Sequence, residues 1–85
     1  MDTPGEDSSL IDVRSIQPHH RHALILSRFD ALPVGAALEL LNDHDPSPLY
    51  SHFDSTRRDQ FDWDLLEAGP ERWHVRVTRR GAPGG

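Results

Sequence analysis

At 85 residues with a formal net charge of −5, the chain has room for one domain around one modest core, without a large active-site cleft. It contains no cysteine, which excludes disulfides, thiolate ligands, persulfide carriers and cysteine nucleophiles; all nine basic residues are arginine, which excludes a Schiff base and a Walker A lysine. The acidic balance argues against nucleic-acid binding, and the lack of a long apolar run or a basic segment ahead of one predicts a soluble cytoplasmic protein with no membrane span.

Residues 1–8, MDTPGEDS, read as a loose lead-in, followed by a single domain over 9–80 and a flexible tail over 81–85. Leu10 to Arg14 alternate apolar and polar residues, which predicts a short strand. Pro18 suits the first position of a helix, where a missing N–H costs nothing. Ile25, Leu26, Phe29 and Leu32 continue at helical spacing until Pro33 and Gly35 end the run. His22 lies on or beside that buried face, His19 one turn earlier, and His20 points elsewhere. A second strand over Ala37 to Leu41 runs into Asn42-Asp43-His44-Asp45-Pro46, where Asp45 is placed to cap a helix that Pro46 begins. Leu49, Phe53 and Tyr50 mark that helix's packed side. Phe61, Trp63 and Leu65 alternate with Asp62 and Asp64, Ala68-Gly69-Pro70 turns the chain, and Trp73, Val75 and Val77 complete a hairpin with one apolar face.

The element order is therefore β-α-β-α-β-β, an α/β fold. A strand, a crossover helix and a second strand in one sheet are expected to be parallel, with both carboxyl ends at one edge. That edge collects Arg14, His19, His22 and Asn42 to Asp45, and in open α/β sheets it is where ligands bind.

These residues carry a resemblance. Asp12-Val13-Arg14, Arg21-His22, FDALPVG at Phe29 to Gly35, NDHDPSPL at Asn42 to Leu49, FDWDLLEAGPERW at Phe61 to Trp73 and the closing VRV together resemble a family of small bacterial domains of unknown function. That family is related to the TusA/SirA-like sulfur-carrier fold and is often encoded with or fused to hemerythrin-like proteins. The resemblance spans about Ile11 to Arg79 and implies a two-layer sandwich of two helices on a four-stranded mixed sheet. It also implies a hemerythrin-like or other redox protein as partner, with iron or nitric-oxide physiology as the setting. The sulfur carriers have a Cys-Pro pair at the start of the first helix; here the stretch reads Pro18-His19, so their chemistry does not carry over.

Each polar motif has a plain and a sharp reading. The NDHDP run is either a turn in which Asp45 caps and Asn42 or Asp43 bonds its own backbone, or a site where His44 and Asp43 join His22 or His19. Neutral imidazole and carboxylate suit Fe, Zn, Cu or Ni, although the spacing matches no standard zinc signature. His22 is either a satisfied histidine donating to a strand carbonyl or a ligand. Within His19-His20-Arg21-His22 only the i, i+3 pair shares a ligand easily. Arg14, near two helix amino-termini, either joins an anion site or pairs with Asp43 or Asp45. Asp62 and Asp64 are expected to face water and pair with Arg72, His74 or Arg76, Trp63 and Trp73 to fill the core, and no serine has an evident base. The leading expectation is a non-enzymatic module binding or sensing a transition metal through His22 and His44, with Asp43 or His19 as third ligand and Arg14, Asn42 and Asp45 as supporting polar groups. The alternative is a cofactor-free protein-interaction module; a weaker one is acid-base catalysis by His22 or His44.

Overall fold

Alternation along four strands sends one apolar row after another to a single sheet face. The computed structural model describes residues 8–81: β1 (Ser8–Asp12), α1 (Pro18–Asp30), β2 (Ala37–Asn42), α2 (Ser47–Thr56), β3 (Phe61–Glu67) and β4 (Trp73–Arg79), with a 3-10 turn over Val13–Ser15. The strand order is β1-β2-β4-β3, with β1 and β2 parallel and the other neighbours antiparallel. This is the two-layer, four-stranded mixed α/β sandwich expected. The tail residues 82–85 and the lead-in residues 1–7 lie outside the described residues; Ser8, assigned to the lead-in, begins β1.

Register places Ile11, Leu40, Val75 and Leu65 in one row across the sheet, and Leu38, Val77 and Trp63 in the next. The first three of one row and first two of the other are buried against Ile25, Leu26 and Phe29 of α1 and Leu49 and Phe53 of α2. Phe29 meets Phe53 edge to face at 5.0 Å between ring centres, tying the two helices together. Trp63 packs on this core as expected, and Tyr50 meets it edge to face at 5.3 Å.

Helix α1 ends where Arg79 donates to the carbonyls of Phe29 and Asp30, at 3.2 and 2.8 Å, satisfying acceptors that the last turn leaves open. Gly35, at φ 92, then reverses the chain in a conformation that favours glycine. Trp73 departs from its assignment to the core. Its indole N–H donates to the Pro70 carbonyl at 3.2 Å, and its ring covers Gly69 so closely that a Cβ there would lie 2.5 Å from it. Trp73 therefore shapes the β3–β4 turn. The expected partners of Asp62 and Asp64 are also different: Arg76 and His74 bond Glu39, Arg72 bonds Glu67, and Asp62 faces Arg80 at 3.7 Å. The central strand β2 offers its glutamate to β4, which leaves the hairpin aspartates at the outer edge.

Candidate functional site

Arg14 does not end a strand. The Asp12 carboxylate accepts the Arg14 backbone N–H at 3.0 Å and its guanidinium at 2.8 and 2.7 Å, a bidentate pair that closes β1 two residues early and turns the chain into the 3-10 segment. The Arg14 side-chain hydrogen bond, followed by its backbone N–H, holds the Asp12 carboxyl down at about 2. Arg14 is thus matched within its own turn, and the expected pairing with Asp43 or Asp45 does not form.

Arg21, which the sequence reading named only as part of a motif, is the organising residue. It lies one helical turn before Ile25 on the buried face of α1 and is 8 % exposed. Its guanidinium donates to the Ile16 carbonyl at 2.7 Å, Asn42 Oδ1 at 3.0 Å, Asp43 Oδ1 at 3.0 Å and the Arg14 carbonyl at 3.3 Å. A buried charge must be paired and its donors used, and four acceptors from two segments do so here. The result is that the 3-10 turn, the first turn of α1 and the end of β2 are fixed to one another.

The turn after β2 is built on the same point. Asn42 Oδ1 also accepts the backbone N–H groups of Asp43 and His44, at 2.8 and 3.3 Å. Asp43 Oδ1 then meets His44 Nδ1, so Arg21, Asp43 and His44 form a chain running from the interior to an imidazole that is 74 % exposed. The Arg21 hydrogen bond, opposed by desolvation and aided by His44, holds the Asp43 carboxyl below its ordinary value. Asp45 accepts from Ser47 N–H at 2.9 Å and Ser47 Oγ at 2.6 Å. It therefore satisfies the opening of α2 as expected, although Pro46 occupies the cap position and the helix starts one residue later than the sequence suggests.

The parallel strands do bring the polar groups together. Arg21, His22, Asn42, His44 and Asp45, with Ile25, Pro46, Pro48 and Leu49, line one pocket of about 150 Å³. His19 is not in that lining; it is exposed, with its ring 4.1 Å from that of His20. His22 is half-buried and, instead of donating to a strand carbonyl, presents Nδ1 to Nδ1 of His52 on α2 at 3.4 Å. Burial, then the neighbouring His52, pushes the His22 imidazole below its usual pKa. No local sequence signal relates positions 22 and 52, which meet only because both helices cover the same sheet face. Among the described residues, no three or more histidine, aspartate or glutamate side chains gather into a group that could hold a metal ion. None of their helices is long and apolar enough to cross a membrane.

Residues 10–79 match the family model described as "Uncharacterized conserved protein (DUF2249)". No curated protein and no solved structure matches the chain.

Proposed function

The chain belongs to the DUF2249 family over residues 10–79, and from that premise we propose that it is a non-enzymatic module that binds or senses a first-row transition-metal ion at the carboxyl edge of β1 and β2, through His44 and His22. The observation that carries this reading is the Arg21–Asp43–His44 chain. Imidazoles that ligate metals usually donate their other ring N–H to a carboxylate, which fixes tautomer and orientation. With Nδ1–H on Asp43, His44 keeps Nε2 as its lone-pair nitrogen. Asp43, a ligand candidate by sequence, becomes the orienting group, since Arg21 and His44 share its Oδ1. His22 lines the same pocket, and its lowered pKa favours the neutral ring that a metal needs. Fe, Zn, Cu and Ni all accept imidazole, and a hemerythrin-like or other redox protein is the partner that the sequence resemblance suggests.

Calorimetric titration of untagged protein with Zn(II), Fe(II), Ni(II) and Cu(II) tests the proposal. Wild type is expected to bind at least one ion at micromolar level or tighter, with affinity falling on acidification because protons compete for the ligand imidazoles. His44→Ala is expected to lose binding, whereas Asp45→Ala keeps it and melts a few degrees lower through the lost helix-start hydrogen bonds. A wild type that binds none of the four tighter than high micromolar overturns the metal reading and leaves the cofactor-free interaction module.

A further inference from the structure

The contact between His22 and His52 has no part in the Arg21 network. Their Nδ1 atoms stand 3.4 Å apart, with ring centres at 5.6 Å and ring planes inclined by 50°. A neutral imidazole pair has one way to use that approach, a single N–H···N hydrogen bond, and 3.4 Å is long for one: protein N–H donors sit at about 2.7–3.2 Å from their acceptors. Two imidazolium rings would repel. A metal ion spans the gap much better. Nitrogens at about 2.0–2.1 Å from a tetrahedral ion lie about 3.3–3.4 Å apart, whereas cis positions of an octahedral ion at the same bond length bring them to about 2.9 Å.

We infer that His22 and His52 form a bis-imidazole chelate between α1 and α2, binding a tetrahedral ion such as Zn(II) through Nδ1 of both rings. This rests on the metal-binding reading above for His22 and gives that residue a helix-borne partner in place of His44, one that sequence spacing does not single out. Because no third histidine, aspartate or glutamate completes a group among the described residues, those residues contribute two ligands, and the other coordination positions are left to water or to a further donor. Such an open site suits an ion that is sensed or passed on rather than locked in place. It would also clip together two helices that Phe29 and Phe53 and, at their far ends, the Asp30–Arg57 pair at 2.6 and 3.0 Å already join.

The test uses the full-length, untagged protein and zinc chloride. Zn(II) affinity is measured by competition against a chromogenic chelator for wild type, His52→Gln, His22→Gln and His44→Ala, with melts in EDTA to confirm that each variant folds. Long-range ¹H–¹⁵N spectra of the imidazoles accompany them. The expected result is a loss of at least about tenfold in affinity for both His52→Gln and His22→Gln, and zinc-dependent shifts at Nδ1 of both rings in wild type. A melt that rises with zinc in wild type but not in His52→Gln would agree. If His52→Gln binds zinc as wild type does while His44→Ala does not, the chelate is wrong and the proposed carboxyl-edge site stands. Should both His52→Gln and His22→Gln lose binding while His44→Ala retains it, the chelate stands and His44 is not a ligand. If wild type binds no zinc, the chelate is overturned, whatever the other ions do at His44. A His52→Gln variant unfolded in EDTA would shift the decision to His22→Gln and the wild-type nitrogen shifts, whose absence overturns the assignment.

Discussion

Among the described residues a carboxylate held between an arginine and a histidine occurs twice, and the two assemblies are anchored from opposite ends. At the carboxyl edge the arginine is the covered member: Arg21 is buried, Asp43 half-covered and His44 almost fully in solvent. On the sheet face turned away from the helices the carboxylate is covered: Glu39, with its side chain 18 % exposed, accepts from His74 Nε2 at 2.7 Å and from Arg76 Nε at 3.3 Å. The first arrangement is a chain that starts in the core and ends on an exposed ring. The second draws both neighbouring side chains back onto one central strand. An arginine anchor, with its fork of donors, can hold several loops and still leave an imidazole pendant, whereas a glutamate anchor uses its neighbours as its own cover. This contrast separates a candidate site from a structural ladder made of the same three residue types.

Breaking the first anchor carries the largest expected effect. Arg21→Ala leaves Asn42, Asp43 and two backbone carbonyls without their shared donor and opens a void beside Ile25, so a loss on the order of 2–4 kcal/mol is expected in urea denaturation. Arg21→Lys should recover less than half of that, because one ammonium cannot reproduce a planar fork serving four acceptors. A variant that unfolds at the wild-type urea midpoint would show that the turn holds itself.

The second anchor is expected to matter less. Glu39→Ala removes the acceptor for two side chains that still reach water, so the cost is about 1 kcal/mol, read from the same denaturation curves. If Glu39→Ala proves as damaging as Arg21→Ala, the outer ladder is a structural anchor of equal weight and the asymmetry drawn between the two assemblies fails.

Sequence patterning revealed these two regions unequally. The outer ladder follows from strand alternation once β2 and β4 are neighbours, because Glu39 and Arg76 then face each other by register. That adjacency is a long-range fact, and a local reading pairs the hairpin aspartates with the cations instead. The edge site was legible as a place, since parallel strands must gather the polar residues that follow them, and Asp45 was legible as a helix-start acceptor. Its organiser was not. Arg21 occupies the position of a core residue on the helical stripe of Ile25 and Phe29, and a reading that follows apolar residues passes over a charge there. Arg14 was misplaced for a local reason: alternation continues through Asp12-Val13-Arg14, but the Asp12 side chain captures the Arg14 N–H and ends the strand. His52 sits thirty positions from His22 in the chain and has no spacing to betray it.

Acidification offers a smaller and graded perturbation of both regions. The carboxyls of Asp12, Asp30, Asp43 and Asp45 are held low by hydrogen bonds from Arg14, Arg57, Arg21 and Ser47 respectively; burial pushes Glu39 up, and the bonds from His74 and Arg76 more than offset it. A carboxyl whose folded pKa lies below its unfolded one contributes stability that is fully present above the unfolded value and is lost as pH falls through the folded value. The thermal midpoint should therefore sag slightly below about pH 6.5, where His22 protonates more readily in the unfolded chain than in the folded one, and decline further below about pH 4, with the Asp12 contribution the last to go, near a pH of about 2. In Asp12→Asn that final segment of the decline should vanish while the rest of the profile stays. A midpoint that climbs on acidification would mean that these carboxylates strain the fold instead of supporting it.

The smallest expected effect is also the one that discriminates best between the two imidazoles. The His44 ring bonds Asp43 and is largely in water, so His44→Ala should change stability by no more than about 0.5 kcal/mol. His74 is only 26 % exposed, lies between strands and donates to a covered carboxylate, so His74→Ala should cost roughly 0.5–1 kcal/mol, and that cost should largely disappear when Glu39 is already alanine. Denaturant midpoints of the two single variants and of the Glu39/His74 double variant supply the comparison. If His44→Ala costs as much as His74→Ala, the exposed ring is part of the scaffold, and the case for it as a ligand loses its physical basis: a group kept for binding alone can be removed without the fold noticing.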